Sequence, residues 1–132
     1  MCMDADNLVV RGPRATIEYA VQANGRMPAK EGLRRLSERE RARLYVLFER
    51  YAREGRILNP DQFKKEEGEI WSFKRDQNRV PCFLRGQRVI LTHVFTKKRQ
   101  RWPRREFQRA ERIMNEHLTQ EMGGWERKGH ET

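Results

Sequence analysis

The sequence predicts an α+β fold, a small antiparallel sheet with helices packed on it in two layers. Three observations predict this class: an alternating apolar pattern near the N-terminus, a well-capped amphipathic segment, and three consecutive strand-like segments between residues 69 and 95. A last helical pattern follows Pro103. The predicted order of elements is therefore β-α-α-β-β-β-α.

The first half of the chain supplies one strand and two helices. Residues 16–22 alternate between apolar and polar side chains, as expected of a half-buried strand. Pro28 suits the first position of a short helix, which Gly32 weakens. Ser37 and Glu40 have the spacing of a capping box, and Gly55 suits a left-handed helix end. Between these signals the sequence predicts a helix over residues 38–54, with an apolar stripe of Leu44, Leu47, Phe48 and Tyr51.

The second half supplies three strands, over residues 69–75, 79–84 and 88–95. Apolar residues on both faces of the third strand predict that it is central in the sheet. Pro81 has no N–H to donate, so we expect the second strand to be unpaired or bulged there. The last helix begins at Pro103 and places Phe107, Ala110, Met114 and Leu118 on one face.

This pattern predicts one domain over residues 15–120, preceded by a flexible leader (1–14) and followed by a disordered tail (121–132). With only Cys2 and Cys82, a disulfide framework is not expected, and a reducing cytoplasm fits best. No secretory signal pattern and no membrane-spanning apolar run are present, so no membrane partner is expected.

The charge balance is strongly basic and unevenly distributed. Lys and Arg number 29 against 19 Asp and Glu, a net charge of +10. Such a surplus predicts binding to polyanions, although a merely solubilising surface is the simpler alternative. Between residues 96 and 112 the cations outnumber the acids by eight to two; they are Lys97, Lys98, Arg99, Arg101, Arg104, Arg105, Arg109 and Arg112.

The sequence also limits the chemistry. It contains no CxxC pair, no zinc-ligand spacing among its histidines, no Gly-rich phosphate loop and no GxSxG motif. We therefore predict no metal and no cofactor. What remains is a set of cations with one histidine on the three consecutive strands.

Antiparallel strands return to the same end of a sheet, so Lys74, Arg79 and His93 are expected to converge there. Cleavage of RNA without metal needs a general base, a general acid and cations around the phosphate. His93 is the candidate base or acid, and Lys74, Arg79 and Lys98 are the candidate phosphate ligands. Further candidate RNA contacts are Arg75, Lys97, Arg99, Arg101, Arg104 and Arg105.

Plainer interpretations of the same residues stay open. His93 shares its side-chain phase with Val89 and Leu91, so it is equally compatible with a core histidine. Lys97 and Lys98 are compatible with a solvated turn, and Trp71 and Phe73 with the core.

Three segments resemble the phage-derived, HigB-like branch of the RelE/ParE toxin superfamily. They are Gly68 to Arg75 with Asn78-Arg79-Val80, Leu91 to Lys98, and Trp102 to Ala110. The resemblance covers residues 15–120. The His-x-Phe-x-Lys-Lys stretch followed by a proline-initiated helix is its most specific part.

The resemblance implies a RelE-like fold and the toxin of a type II toxin–antitoxin system. Such a toxin cleaves messenger RNA on the translating ribosome without metal and is silenced by a small antitoxin, here expected to carry a helix-turn-helix. By position, Arg79, His93 and the Lys97–Lys98 pair match the motif residues, and Lys74 matches a common basic position. Val94 replaces the usual glycine after the histidine, and Pro81 interrupts a strand. ParE-like relatives inhibit DNA gyrase instead, and a non-catalytic RNA-binding module is a further alternative.

Overall fold

The computed structural model describes the backbone of residues 7–131 and the side chains of residues 7–123. Outside this range lie residues 1–6, which include Cys2 and form the first part of the predicted leader, and Thr132. One sheet carries three helices, which are α1 (Pro28–Arg35), α2 (Glu38–Glu54) and α3 (Arg104–Glu131). The strands are β1 (Leu8–Arg11), β2 (Thr16–Tyr19), β3 (Phe63–Glu67), β4 (Ile70–Arg75), β5 (Asn78–Arg85), β6 (Arg88–Leu91) and β7 (Phe95–Thr96). The predicted α+β class with a RelE-like arrangement is confirmed.

The sheet order is β1-β2-β6-β5-β4-β3, and β7 pairs with β5 beyond the end of β6. The predicted antiparallel meander is β4-β5-β6, which occupies one side of the sheet. β2 joins the other edge of β6 in parallel, so the whole sheet is mixed. β6 is accordingly central, with a strand on each side, as its apolar sequence predicts.

The helices cover both faces of the sheet, so the fold has three layers and the predicted two-layer arrangement is wrong. α2 buries Leu44, Leu47 and Phe48 against one face. On the other face, Ala110 and Ile113 of α3 belong to a second buried cluster, which also contains Ile70, Phe83 and Ile90. The second cluster covers only part of its face, which leaves room for polar side chains on the rest.

Helix α2 has the predicted bounds because both of its ends are specified locally. The Glu40 N–H donates to Ser37 Oγ, and the Ser37 N–H donates to Glu40 Oε1, both at 3.1 Å. At the other end Gly55 adopts a φ of 80°, and its N–H donates to the Tyr51 carbonyl at 2.6 Å. These contacts satisfy backbone groups that a helix end leaves unpaired.

Two edge strands were not predicted. β1 lies inside the segment predicted as a flexible leader, and that prediction is wrong for residues 8–11. The following loop is held to α2, where the N–H groups of Arg14 and Ala15 both donate to the Ala52 carbonyl. β3 was missed because it reads FKKEE, with too few apolar side chains to show alternation. Both strands form edges, where one hydrogen-bonded side suffices and charges are common.

The irregularity predicted at Pro81 is present, and it lies in the segment opposite. Cys82 pairs with Leu91 and Arg79 with Phe95, so three steps along β5 face four steps along its partner. The extra residue forms a bulge within residues 92–94. The Thr92 N–H donates to the Pro81 carbonyl at 2.9 Å. Pro81 has no N–H with which to complete the pair.

Helix α3 begins one residue after Pro103 and its backbone continues to Glu131, beyond residue 120, where we predicted a disordered tail to begin. One contact with the sheet lies in this extension, an ion pair of 2.6 Å between Glu121 and Arg88 of β6. Just before it, His117 Nδ1 accepts a hydrogen bond of 3.0 Å from the N–H of Val21, which follows β2. The start and end assigned to the predicted domain stay predictions. Among the helices that the structure describes, none is long and apolar enough to cross a membrane.

Candidate nucleic-acid interface

A basic cleft lies on the α3 face of the sheet, on the part that the helix leaves open. Its floor is formed by β3, β4 and β5, and its wall by the connection from β7 into the first turn of α3. The cleft has a volume of about 430 Å³. Six cations line it, namely Lys64, Lys74, Arg79, Lys97, Arg101 and Arg104, against two carboxylates, Glu66 and Glu67.

Strand register explains why the floor residues meet. Lys74 is the direct partner of Arg79, and Lys64 is the partner of Ser72, two residues before Lys74. Cross-strand partners place their side chains on the same face, with Cβ atoms about 5 Å apart. The sheet thus gathers cations that are 15 positions apart in the sequence, from Lys64 to Arg79.

Arg79 is the most deeply buried cation of the cleft. Only 8% of the residue is exposed, and its Nη1 donates to the carbonyls of Asp76 at 2.8 Å and Asn78 at 3.0 Å. Its Nε is buried and has no hydrogen-bond partner among the described residues. Burial lowers its pKa, and the nearby Glu66 carboxylate partly opposes that effect. A buried cation with an unsatisfied donor is well prepared to receive an anion.

Lys74 lies beside Arg79 with its Nζ donating to the Pro60 carbonyl at 3.2 Å. Partial burial lowers the pKa of Lys74, and the neighbouring Arg79 charge lowers it further. A lysine with a lowered pKa gives up its proton more readily than a free one. Lys74 can therefore act as a proton donor as well as a phosphate ligand.

Sequence reasoning missed Glu66, a carboxylate whose charge acts on both Lys74 and Arg79. β3 shifts register between Lys65 and Glu67, and Glu66 is the residue at that irregularity. Its Oε2 accepts a hydrogen bond of 2.6 Å from Ser72 Oγ. The signal that could have found β3 is the hairpin turn after it, where Gly68 adopts a φ of 56°.

The structure does not place His93 in this cleft, so the predicted convergence of Lys74, Arg79 and His93 is wrong for His93. The imidazole is fully buried, with Nε2 2.9 Å from Glu106 Oε1 and Nδ1 3.0 Å from Thr92 Oγ1. Burial lowers its pKa to about 4. His93 thus corresponds to the core histidine that the sequence left open.

The bulge opposite Pro81 explains this outcome. Without the bulge, His93 would point to the same face as Val89 and Leu91, which pack toward α2. Val94 packs with that cluster instead, and His93 reaches Glu106 of α3 on the opposite face. One extra residue in a strand shifts the alternation of all following side chains.

The remaining predicted residues fall into three places. Lys97, Arg101 and Arg104 line the basic cleft together with Lys74 and Arg79. Lys98, Arg99 and Arg105 line a second pocket of about 790 Å³, which Arg101 also borders. Arg75 lines neither, and its Nε is buried without a partner among the described residues. Phe73 is fully buried and Trp71 stacks on Phe63, so both belong to the core.

A comparison with protein families shows which family the chain resembles. Residues 31–115, about two thirds of the chain, match the family described as "Phage derived protein Gp49-like (DUF891)". The match spans strands β3 to β7 and the first turns of α3, and so includes every cation of the basic cleft. Among curated proteins no significant match is found.

Proposed function

The chain belongs to the Gp49-like family of phage-derived proteins, which is associated with RelE-like toxins, and from this premise we propose that it is a toxin that cleaves messenger RNA. The observation that carries the proposal is the basic cleft. Cations from three strands and from the connection into α3 face one space of a size suited to a nucleotide. A cleft of this kind attracts the phosphate backbone and stabilises extra charge on a reacting phosphate.

The residues of the cleft suffice for cleavage without metal. Glu66 accepts the proton of a ribose 2′-hydroxyl, whose oxygen attacks the adjacent phosphorus. Arg79 and Lys64 stabilise the negative charge of the pentavalent phosphate. The bond to the 5′-oxygen breaks, and Lys74 donates a proton to that oxygen. The products are a 2′,3′-cyclic phosphate and a 5′-hydroxyl, with the proton transferred in total from 2′-oxygen to 5′-oxygen.

The setting of the reaction follows from the resemblance described above. We propose that the toxin acts in the cytoplasm on messenger RNA exposed at the translating ribosome. We further propose that a small antitoxin, carrying a helix-turn-helix, silences it. A segment of acidic side chains in such an antitoxin would complement the six cations of the cleft.

The test compares two glutamate variants. Glu66→Gln keeps the size and the acceptor for Ser72 but removes the base, whereas Glu69→Gln changes an exposed carboxylate that pairs with Arg85 outside the cleft. After induction in a bacterial host, we expect growth arrest from the wild-type chain and from Glu69→Gln, and at least a hundredfold slower RNA cleavage by Glu66→Gln.

Mapping transcript ends distinguishes the proposal from its rivals. New ends carrying 5′-hydroxyls, absent with Glu66→Gln, are the expected result. Growth arrest with intact transcripts and DNA breaks would identify a gyrase-directed toxin instead. RNA binding without arrest or cleavage would leave only a binding module.

A further inference from the structure

The second pocket lies next to the basic cleft, and the two share a boundary. Phe95, Lys98, Arg99 and Arg105 line the second pocket, while Arg101 and Trp102 line both. Trp102 therefore stands as a ridge between two basic spaces. The two spaces together offer a route for one polymer across that ridge.

Trp102 is held in place by other aromatic rings. Its indole stacks on Phe107, with ring centroids 4.6 Å apart and an interplanar angle of 23°, and it meets Phe95 edge-on at 4.8 Å. It also packs against the buried cluster beneath α3. Trp102 is only partly buried and lines both pockets. An aromatic ring fixed in this way can stack a nucleic-acid base at little entropic cost.

The charges of the second pocket also favour a phosphate backbone. Lys98 and Arg105 are exposed. One carboxylate lines this pocket, Glu106, whose Oε1 contacts the buried His93 at 2.9 Å and whose Oε2 lies 3.8 Å from Arg105 Nε. Four cations line the pocket against this one carboxylate, so a net positive charge faces an incoming anion.

We propose that the second pocket is a nucleotide subsite, and that the protein binds one continuous single strand of RNA across Trp102, with a base stacked on the indole. The subsite deepens the proposed function and rests on it for the choice of RNA. Single-stranded RNA is required because the bases of a duplex are already stacked on one another and cannot reach the ring. Contacts at Trp102 and in the second pocket hold the strand, while cleavage takes place in the basic cleft.

The test measures the binding of a 2′-O-methyl decauridylate, which cannot be cleaved, and of a ten-base-pair RNA duplex. We expect Trp102→Ala to weaken binding of the single strand by about fivefold or more and to leave duplex binding unchanged. Lys98→Ala and Arg105→Ala should each weaken single-strand binding severalfold. Lys65→Ala, which changes an exposed lysine outside both pockets, should have no effect.

A second measurement distinguishes the loss of base stacking from a disturbed fold in Trp102→Ala. Decauridylate should quench the tryptophan fluorescence of the wild-type chain, and Trp102→Phe, which keeps an aromatic ring in the stack, should remove most of that response. If single-strand binding depends on Lys64 but not on Lys98, Arg105 or Trp102, the subsite is refuted and the proposed function stands. If neither RNA binds at all, both are refuted.

Discussion

The buried imidazole of His93 should make the stability of this protein depend on pH. Burial lowers the pKa of His93 to about 4, and the Arg109 and Arg112 charges add to that effect while Glu106 opposes it. In the unfolded chain the pKa is about 6.5, so between these values the unfolded state binds more protons. Stability therefore falls as the pH drops from about 6.5 to about 4, by up to about 3 kcal/mol.

Thermal unfolding between pH 7 and pH 5 measures this effect. His93→Gln should lower the melting temperature at pH 7 but weaken its dependence on pH. His117, whose pKa burial also lowers, contributes in the same direction, so the double variant with His117→Gln should be flatter still. A His93→Gln variant with the pH dependence of the wild type would contradict the assignment of His93 to the core.

At the scale of residues, the sequence identified most of the cations of the cleft, but it missed the carboxylate Glu66 and misplaced His93. Lys74 and Arg79 were found from strand order, because consecutive antiparallel strands bring the end of one strand next to the start of the next. His93 was misplaced because a one-residue bulge reverses the face on which a side chain lies. The sequence signalled the bulge through Pro81, but not on which strand the extra residue falls.

At the scale of elements, the close approach of α1 to the bulge can be tested at Gly32. A Cβ added there would lie 2.8 Å from Val94 Cβ, which is too close for two carbon atoms. Gly32→Ala gains about 1 kcal/mol of helix propensity but overpacks a buried contact, at a cost of about 1–3 kcal/mol. We expect net destabilisation, measured by urea unfolding.

Val94→Gly supplies the matched partner for this test, because it removes the Val94 Cβ that a Cβ at residue 32 would meet at 2.8 Å. Alone it should cost stability by leaving a cavity, but combined with Gly32→Ala it should recover part of the loss, since the new methyl group fills the space that the valine side chain vacates. Additive losses in the double variant would argue against direct contact. The valine that replaces the usual glycine of the resembling toxins thus packs against a glycine of α1.

The elements themselves were predictable to the extent that local signals specify them. α2 carries a capping box, an apolar stripe and a terminal glycine, and its bounds were predicted in full. β1 and β3 lack such signals, since edge strands tolerate charge and need only one partner. The backbone of α3 extends beyond the predicted apolar pattern. There the helix is held by polar contacts, such as the ion pair of Glu121 with Arg88 of β6, which the apolar pattern could not reveal.

For the molecule as a whole, the net charge of +10 raises the question of whether RNA binding reflects overall charge or the cleft. Lys64 and Lys65 offer a matched comparison, because they are adjacent in β3 and both exposed, while only Lys64 lines the cleft. Each variant lowers the net charge by one. If overall charge governs binding, the two variants behave alike.

If the cleft governs binding, the RNA affinities of the Lys64→Ala and Lys65→Ala variants differ in their dependence on salt concentration. Neutralising phosphates of a single strand releases about 0.7 counterions per contact, so the six cleft cations contribute about −4 to the slope of log affinity against log salt, and cations of the second pocket add to it. Lys64→Ala should reduce the magnitude of that slope by about 0.7, and Lys65→Ala should leave it unchanged, as measured with the uncleavable decauridylate. Equal slopes for the two variants would show that the cations of the cleft are not the ones that contact the phosphates.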